Sequence, residues 1–485
     1  MKPIRVFIDR QSNSALSIDE IKYTIKTLLT IAGLPCHFVK SAAQVDIYYG
    51  NSHIDDRTLF IEMSNVKKDT AGIPLEVTSE SSYSFFFYGK QSRKKDIVVT
   101  HGLRKAIYND IVLSSFYLLT GCQERFLKRD KRDFFNIKES FFYKEKLIHL
   151  PIVTDYAFML KDIFANSHEP APLWPNGKKY AVALSHDIDY PEMVRSIEIL
   201  RYALKYKRNL NISRMLDIAR GKETFWKFED WMNLEKQYGM KSAFYFCGFK
   251  GSLPGYFLKS PDPFYDVLSP RYKHVMRSIV EKGFEVGMHA SYFAYKTAEG
   301  FIKEKKKIEQ ALGGTIFGNR HHYWHMDPEK PFETASIHHK AGLLYDSSLA
   351  FEHRAGFRNG ISHPFHLYDP VNKKSIKTLQ LPPTLMDSHL SDYAKYGYLG
   401  NYEDEIDALL SSVKRSGGVI VSDYHERGLN TTFYPQWEES YKYLLKKIAA
   451  CNDFYCDIPV NICRHWLDRE RMLDGMSKDE DSCSD

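Results

Sequence analysis

The chain has 485 residues, of which 43% are hydrophobic and 26% charged, and its formal net charge is only +6. This composition supplies a large core and excludes a disordered chain, a collagen and a coiled coil. The small positive surplus has no long basic block behind it, so we expect no nucleic-acid partner.

The seven cysteines are scattered, and no CxxC pair occurs among them. An odd, unpatterned set favours a reducing compartment over a secreted, disulfide-rich domain. The first residues, MKPIRVFIDRQSNSALSIDE, lack the apolar stretch of a signal peptide, and no later window is apolar enough for a membrane span. The sequence therefore predicts a cytoplasmic protein without an integral membrane segment.

Residues 1–164 alternate short β-rich runs with helical patterns and are predicted to form a smaller α/β domain. Ser17 and Glu20 have capping-box spacing, which predicts a helix from about Ser17 to Ala32. A second helix is expected over AIYNDIVLSSFYLLTG, ending at Gly121. Residues 165–179 are rich in proline and polar residues and are predicted to be a linker.

Residues 180–470 repeat a strand–helix alternation, which predicts a barrel or a doubly wound sheet. Most of the predicted strands are separated by amphipathic windows, and several of these windows end in glycine. The strands are predicted at AVALSHDID, SAFYFCG, FEVGMHA, TIFGNRHHYW, LLYDSSL, KTLQLPP and GVIVSDYH. Residues 471–485 are predicted to be a polar tail.

Polar residues stand at the carboxyl ends of these predicted strands. In parallel βα folds, such ends meet on one face and build the active site. The residues concerned are Asp187, Asp189, His289, Arg320, His321, His322, Asp346, Asp423 and His425.

Each of these residues also has an ordinary structural explanation. Asp187 and Asp189, which lie on one side of an extended strand, could cap the following helix. His289, His322 and His425 could each be a core histidine bonded to a carbonyl. Taken together, one Asp and two His at one rim make a plausible divalent-metal site.

The motifs as a set resemble the polysaccharide deacetylase (NodB-type) family over about residues 178–465. They are LSHDIDYP, GFEVGMHASY, GNRHHYW, YDSSLAFEHRAGFRNGISHPFHLYD and VIVSDYHERG. The first motif is similar to a variant branch with an HDxD pattern. SSFYLLTGCQERF and LIHLPIVTDY more loosely resemble the accessory domain that precedes this branch. The resemblance implies a distorted (β/α)7-8 barrel preceded by a smaller α/β domain.

The resemblance also implies roles for particular residues. Asp187 falls at the family's catalytic base, and Asp189 replaces the metal-binding Asp that the usual motif has at Ile188. His289 falls on the first His of the second motif, but the second His of that motif is replaced here by Phe293.

His322, in the third motif, offers a substitute, so the predicted metal ligands are Asp189, His289 and His322. The resemblance further implies that Arg320 orients the base and that His425 is the catalytic acid. Asp346 is expected to support His425.

The sequence thus predicts a deacetylase that uses one divalent ion, zinc first, with cobalt, nickel or iron as alternatives. Its substrate is expected to be an acetylated sugar, a nucleotide-sugar or a lipid-linked glycan in surface-polysaccharide synthesis. Two alternatives stay open, which are hydrolysis of a non-sugar amide and a glycan-binding scaffold with an altered site. Nearby aromatic residues could stack on sugars or simply pack, namely Tyr190, Tyr323, Trp324 and Trp437.

Overall fold

The computed structural model describes residues 2–10, 14–51, 58–64, 66, 76–80, 83–88, 96–101, 104–258, 262–391 and 401–478. Two β-sheets organise this part of the chain, one before residue 108 and one after residue 179. No helix in these ranges is long and apolar enough to cross a membrane.

The first sheet has six strands in the order β2-β1-β3-β4-β8-β7, and all neighbours are parallel except β7 and β8. A separate antiparallel hairpin is formed by β5 and β6. The strands are β1 (Ile4–Ile8), β2 (Cys36–Val39), β3 (Ile47–Gly50), β4 (Leu59–Glu62), β5 (Glu76–Glu80), β6 (Tyr83–Phe87), β7 (Val98–His101) and β8 (Arg104–Ile107). The helices of this region are α1 (Ile18–Ala32), α2 (Ile111–Leu119), α3 (Phe141–Lys144) and α4 (Ile152–Phe164).

The predicted capping box of α1 is confirmed: Ser17 Oγ accepts from the Glu20 amide, and Glu20 Oε2 accepts from the Ser17 amide. The second predicted helix starts later than expected. Ala106 and Ile107 belong to β8, and α2 begins only after Asp110, whose carboxylate accepts from the Leu113 amide. The sequence pattern predicts one continuous helix over this stretch. In the structure, the pairing of β8 in the sheet and the Asp110 cap determine where α2 begins.

The second sheet has ten strands and curls into an incomplete (β/α) barrel. Its order is β14-β15-β13-β12-β11-β10-β9-β17-β16, with β18 also paired to β9, and only β14–β15 is antiparallel. The strands are β9 (Tyr180–Ile188), β10 (Ser242–Phe246), β11 (Glu285–Ala290), β12 (Gly318–His321), β13 (Tyr345–Asp346), β14 (Phe365–Asp369), β15 (Lys374–Gln380), β16 (Leu385–Met386), β17 (Val419–His425) and β18 (Phe454–Cys456).

Helices connect most of the parallel strands of this sheet, and several of them pack on its outside. They are α5 (Arg195–Lys205), α6 (Ile212–Ala219), α7 (Phe228–Gln237), α8 (Leu253–Leu258), α9 (Pro270–Glu281), α10 (Ala298–Leu312), α11 (Pro331–Lys340), α12 (Asp387–Ser391), α13 (Tyr402–Ser416), α14 (Pro435–Ala449) and α15 (Pro459–Lys478). Residues 471–478, which we expected in a polar tail, are helical. Within α15, Arg469 donates to the carbonyls of Thr30 and Ile31 at the end of α1. The rest of the expected tail lies outside the described residues.

Two glycines let a tyrosine pair fill the interior of the barrel beneath the rim. Tyr245 and Tyr345 have hydroxyl oxygens 2.8 Å apart. A Cβ on Gly318 would lie 2.1 Å from the Tyr345 ring, and one on Gly287 would lie 2.3 Å from the Tyr245 ring. Larger residues there would displace the rings that support Arg320, whose guanidinium lies 4.7 Å from the Tyr245 ring centre.

Glu285, buried on β11, should make stability depend on pH. Its carboxylate accepts from Tyr345 Oη and from the Val460 amide, and burial raises its pKa from 4.5 to about 7. The folded chain therefore holds a proton that the unfolded chain releases between these values, so stability falls as pH rises through this window. We expect the free energy of unfolding, relative to a Glu285→Gln variant, to drop by up to about 3 kcal/mol between pH ~5 and ~8. Urea unfolding at both pH values measures this drop, and an identical pH dependence in the two proteins would contradict it.

Candidate metal centre and active site

Three of the predicted rim residues form a compact, buried group. Asp189 follows β9, His289 lies on β11, and His322 follows β12. His289 Nε2 is 3.2 Å from Asp189 Oδ1, and His322 Nε2 is 3.8 Å from Asp189 Oδ2. One ligand atom from each residue lies within 4.8 Å of the others, a spacing that could hold a metal ion.

Hydrogen bonds on the far side of each imidazole orient the two histidines. His289 Nδ1 is 3.0 Å from the Arg320 carbonyl oxygen, and His322 Nδ1 is 3.1 Å from Asp262 Oδ1. With a proton on Nδ1, each Nε2 faces Asp189 and is the nitrogen that would bind a metal, the usual arrangement of metal-binding histidines. Among the described residues, His289 Nε2 and Asp189 Oδ1 have no hydrogen-bond partner although both are buried. Two imidazole nitrogens and one carboxylate fit a divalent cation.

Arg320, on β12, joins two buried carboxylates beside this group. Its Nη1 lies 3.0 Å from Asp187 Oδ1 and 3.1 Å from Asp423 Oδ1. Its Nε and Nη2 donate to the carbonyl and the hydroxyl of Ser347, which fix the plane of the guanidinium. Asp187 is thereby held with its second oxygen 3.7 Å from His289 Nδ1.

His425, at the end of β17, faces the same group from the other side. Its Nε2 is 3.2 Å from Asp189 Oδ2. Its Nδ1 lies 3.0 Å and 3.1 Å from the two carboxylate oxygens of Asp387, and its amide also donates to Asp387. Asp387 is the first residue of α12 and is fully buried.

Asp387 therefore occupies the position behind His425 that we had expected Asp346 to fill. Asp346 instead accepts from Asn319 Nδ2 and from the amide and hydroxyl of Ser348. The physical reason is strand alternation, because the Asp346 side chain points to the helix-covered side of the sheet, together with its β12 neighbour Asn319.

A second histidine group lies on this helix-covered side. His321 Nε2 is 2.8 Å from His338 Nε2, and His338 Nδ1 is 3.7 Å from Asp346 Oδ1. This group also meets the spacing for a metal ion, and all three residues are buried. Burial lowers the pKa of His338 to about 3 and that of His321 well below its usual value, so both imidazoles are neutral.

The charges at the rim favour a cation at its centre. Burial alone would lower the pKa of His289, but the carboxylates of Asp187 and Asp189 raise it to about 9. Burial likewise opposes the charge of Asp189, yet His322 and His425 hold the pKa of that carboxyl well below its usual range. Burial raises the pKa of Asp423 to about 7 despite the nearby Arg320. An ionised Asp189 among imidazoles is therefore the anion that a metal ion would meet.

The aromatic residues noted in the sequence differ in their surroundings. Tyr323 and Trp324 both adopt left-handed backbone, with φ of 56° and 52°, a strain that is typical of functional sites. Trp324 Nε1 donates to Asp423, and the Trp437 ring lies 5.6 Å from the His425 ring. Tyr190 instead packs in the core against Phe225 and Phe264.

Sequence reasoning missed two carboxylates of the site, Asp262 and Asp387, and it assigned no role to Asp423, although that residue stands at a predicted strand end. Asp423 had a usable signal, because it lies two residues before His425 on a strand and so faces the same side. Asp262 and Asp387 follow no strand–helix signature, so no sequence pattern indicated that they belong to the site.

Comparisons with known proteins give the following matches. A family model described as "Family of unknown function (DUF7033)" matches residues 12–169. No curated protein matches the chain. Among solved structures, the chain is similar to a protein from Mycobacterium smegmatis assigned as a polysaccharide deacetylase, with 18% identity, 62% of this chain and 96% of that chain covered, and a TM-score of 0.40. It is also similar to the Puue allantoinase (14% identity, 62% and 94% covered, TM-score 0.40) and to the peptidoglycan deacetylase PdaC from Bacillus subtilis (13% identity, 62% and 97% covered, TM-score 0.29).

Proposed function

We propose that this protein is a metal-dependent hydrolase that removes an acetyl group from a sugar. The observation that carries the proposal is the convergence on Asp189 of two metal-competent imidazoles, His289 and His322, and of a third imidazole, His425, backed by its own carboxylate. A purely structural core needs neither the buried charge nor the imidazole nitrogens facing one carboxylate that this arrangement contains.

The ligands of the metal in this proposal are Asp189, His289 and His322. A bound divalent ion would supply Lewis acidity to the acetyl carbonyl and to the attacking water. Two imidazoles and one carboxylate suit zinc first, and also cobalt, nickel and iron. Asp262 and the Arg320 carbonyl would keep the two imidazoles oriented toward the ion.

The remaining rim residues can perform the proton transfers of acyl hydrolysis. Asp187 is placed to accept a proton from the attacking water, and Arg320 holds its carboxylate in position. His425, with Nδ1 bonded to Asp387, presents Nε2 to the site and can donate a proton to the leaving nitrogen or oxygen. Base and acid thus approach the same centre from different strands, β9 and β17.

The substrate class in this proposal is an acetylated sugar, carried free, on a nucleotide or on a lipid, within surface-polysaccharide or glycoconjugate synthesis. An N-acetyl group is the preferred target because the nitrogen must be protonated to leave as an amine rather than as a strongly basic anion, and His425 can supply that proton. The six cysteines of the described part of the chain are free, which supports a reducing, cytoplasmic location.

A substrate screen with the purified, metal-reconstituted protein tests this function. We expect acetate release from at least one N-acetylated sugar or sugar conjugate, and no release from small non-sugar amides. Asp187→Asn should lower the rate by at least about 100-fold, because it removes the proton acceptor. Glycan binding without acetate release from any substrate would overturn the proposal in favour of a binding protein, and turnover of small amides alone would favour the non-sugar hydrolase.

A further inference from the structure

Helices α5 and α6 form a hairpin with an exposed apolar surface. Five large aliphatic residues along it are 45% to 68% exposed, and they make up five of the eleven exposed large hydrophobic residues in the described part of the chain. They are Leu200, Leu204, Leu210, Ile212 and Leu216. A cluster of this kind on one element marks an interaction site rather than scattered surface residues.

The opposite side of the hairpin packs on the rest of the protein, so the exposed aliphatic side is not needed to hold the hairpin in place. Tyr202 of α5 and Ile218 of α6 are buried with Tyr190, Phe225 and Phe433. On each helix, two exposed aliphatics are four residues apart, Leu200 with Leu204 and Ile212 with Leu216, which places each pair on one face. Folding of the monomer therefore does not explain the exposed side.

The hairpin is also strongly basic. Residues 195–222 contain eight Lys or Arg and only two Asp or Glu, a net charge of +6, which equals the net charge of the whole chain. The two acidic residues are already paired, Glu198 with Arg201 and Asp217 with Lys222. Arg214 is paired with Glu223, just after the hairpin, whereas Lys207, Arg208 and Arg220 are exposed on it.

The hairpin borders the proposed active site. An open cavity of about 670 Å³ is lined by Leu204 and Lys205 of the hairpin and by Tyr434 and Trp437. Trp437 is the ring that lies 5.6 Å from His425. The cavity thus leads from the exposed apolar surface toward the catalytic acid.

We propose that the α5–α6 hairpin docks on the surface of an anionic lipid bilayer, with its exposed aliphatics among the lipid chains and its Lys and Arg at the headgroups. Amphipathic helices that combine a face of large apolar residues with a basic polar face bind membrane interfaces in this way. The choice of substrate rests on the function proposed above. If the protein is a sugar deacetylase, docking of the hairpin would bring its active site to a sugar that is attached to a membrane lipid. The substrate class is then a lipid-linked glycan.

The chemistry of the surface favours a bilayer over a protein partner. Protein interfaces pair their charges across the contact, so a protein partner would have to present a strongly acidic surface to a hairpin with a net charge of +6. Here aliphatic and cationic side chains alternate over two helices, and anionic headgroups attract each Lys or Arg by about 1 kcal/mol. A second copy of this chain would bring the same positive charge to the contact and be repelled.

Vesicle sedimentation of the full-length protein tests the docking without any turnover. We expect the protein to pellet with vesicles of phosphatidylcholine plus phosphatidylglycerol, and to remain in the supernatant with phosphatidylcholine alone. The double variant Leu204→Asp/Ile212→Asp should bind the anionic vesicles at least about tenfold more weakly, and so should Lys207→Glu/Arg208→Glu. Val371→Asp is the matched control, because Val371 is a strongly exposed aliphatic residue on the β14–β15 loop, and it should bind like the wild type.

Circular dichroism and thermal unfolding establish that each variant is folded before its binding is compared. Failure of the wild type to bind either vesicle, or unchanged binding by the two hairpin variants, would overturn the proposal. A concentration-dependent dimer that the aliphatic variant dissolves, with no vesicle binding, would assign the surface to self-association instead. Since neither metal nor substrate enters this assay, its failure would leave the proposed hydrolase untouched, and an inactive hydrolase would leave the docking intact.

Discussion

A His322→Ala variant is expected to lose its divalent metal and, with it, all measurable acetate release. His322 is one of the three proposed ligands, and the vacated position would leave Asp189 and His289 with an incomplete site. We expect the metal affinity to fall by at least about 100-fold. Elemental analysis of protein purified without chelator or affinity metal measures the content per chain, which should be one for the wild type and near zero for the variant.

His321→Ala is the matched control, because it removes the neighbouring imidazole from the opposite side of β12. His321 contacts His338 and not the rim group, so this variant should keep its metal. Circular dichroism would show that both variants fold. Metal retained by His322→Ala and lost from His321→Ala would move the site to the group formed by His321, His338 and Asp346, and our rim assignment would be wrong.

Much of the rim could be predicted because strand ends carry a readable signal. A buried apolar run followed by Asp187 and Asp189, or by His289, indicates both the end of a strand and the side that its residues face. The prediction that Asp189, His289 and His322 lie close together agrees with their positions, although binding of a metal by them stays a prediction.

The supporting carboxylates could not be predicted because they come from segments distant in sequence. Asp262 reaches His322 across 60 residues, and Asp387 reaches His425 across 38. No regular sequence spacing connects the two residues of either pair, because the curl of the sheet brings them together. Asp346 was instead predicted to lie at the site and does not. It is an acidic residue at a strand end, but neighbouring residues of a strand point to opposite sides, and its side chain points to the helix-covered side.

The α5–α6 hairpin escaped prediction for a related reason. A surface helix is normally predicted from apolar residues that recur on its one buried face. In this hairpin, large aliphatic residues also lie on the exposed face. The apolar pattern of residues 195–219 is therefore shared between two surfaces. A pattern that fits no single buried face is itself an indication of an interaction surface.

Replacing Asp387 with asparagine should lower kcat by about 100-fold or more while KM changes by less than about threefold. The carboxylate of Asp387 accepts from both Nδ1 and the amide of His425, whereas the amide group of asparagine would offer a donor to one of them. His425 would lose the orientation that presents its Nε2 to the leaving group, so the loss falls on the chemical step. Metal content should not change, because Asp387 contacts none of the three proposed ligands in the described structure.

Asp346→Asn is the control that separates our sequence-based expectation from the structure. If Asp387 supports the acid, Asp346→Asn should change kcat far less than Asp387→Asn does, and its main effect should be a lower melting temperature from the lost bonds to Ser348 and Asn319. Steady-state kinetics of both variants on the same acetylated substrate, below their melting temperatures, decide the matter. An equal loss of kcat in the two variants would mean that the loss is not specific to the contact between Asp387 and His425, and our assignment of Asp387 as the partner of the proton donor would be wrong.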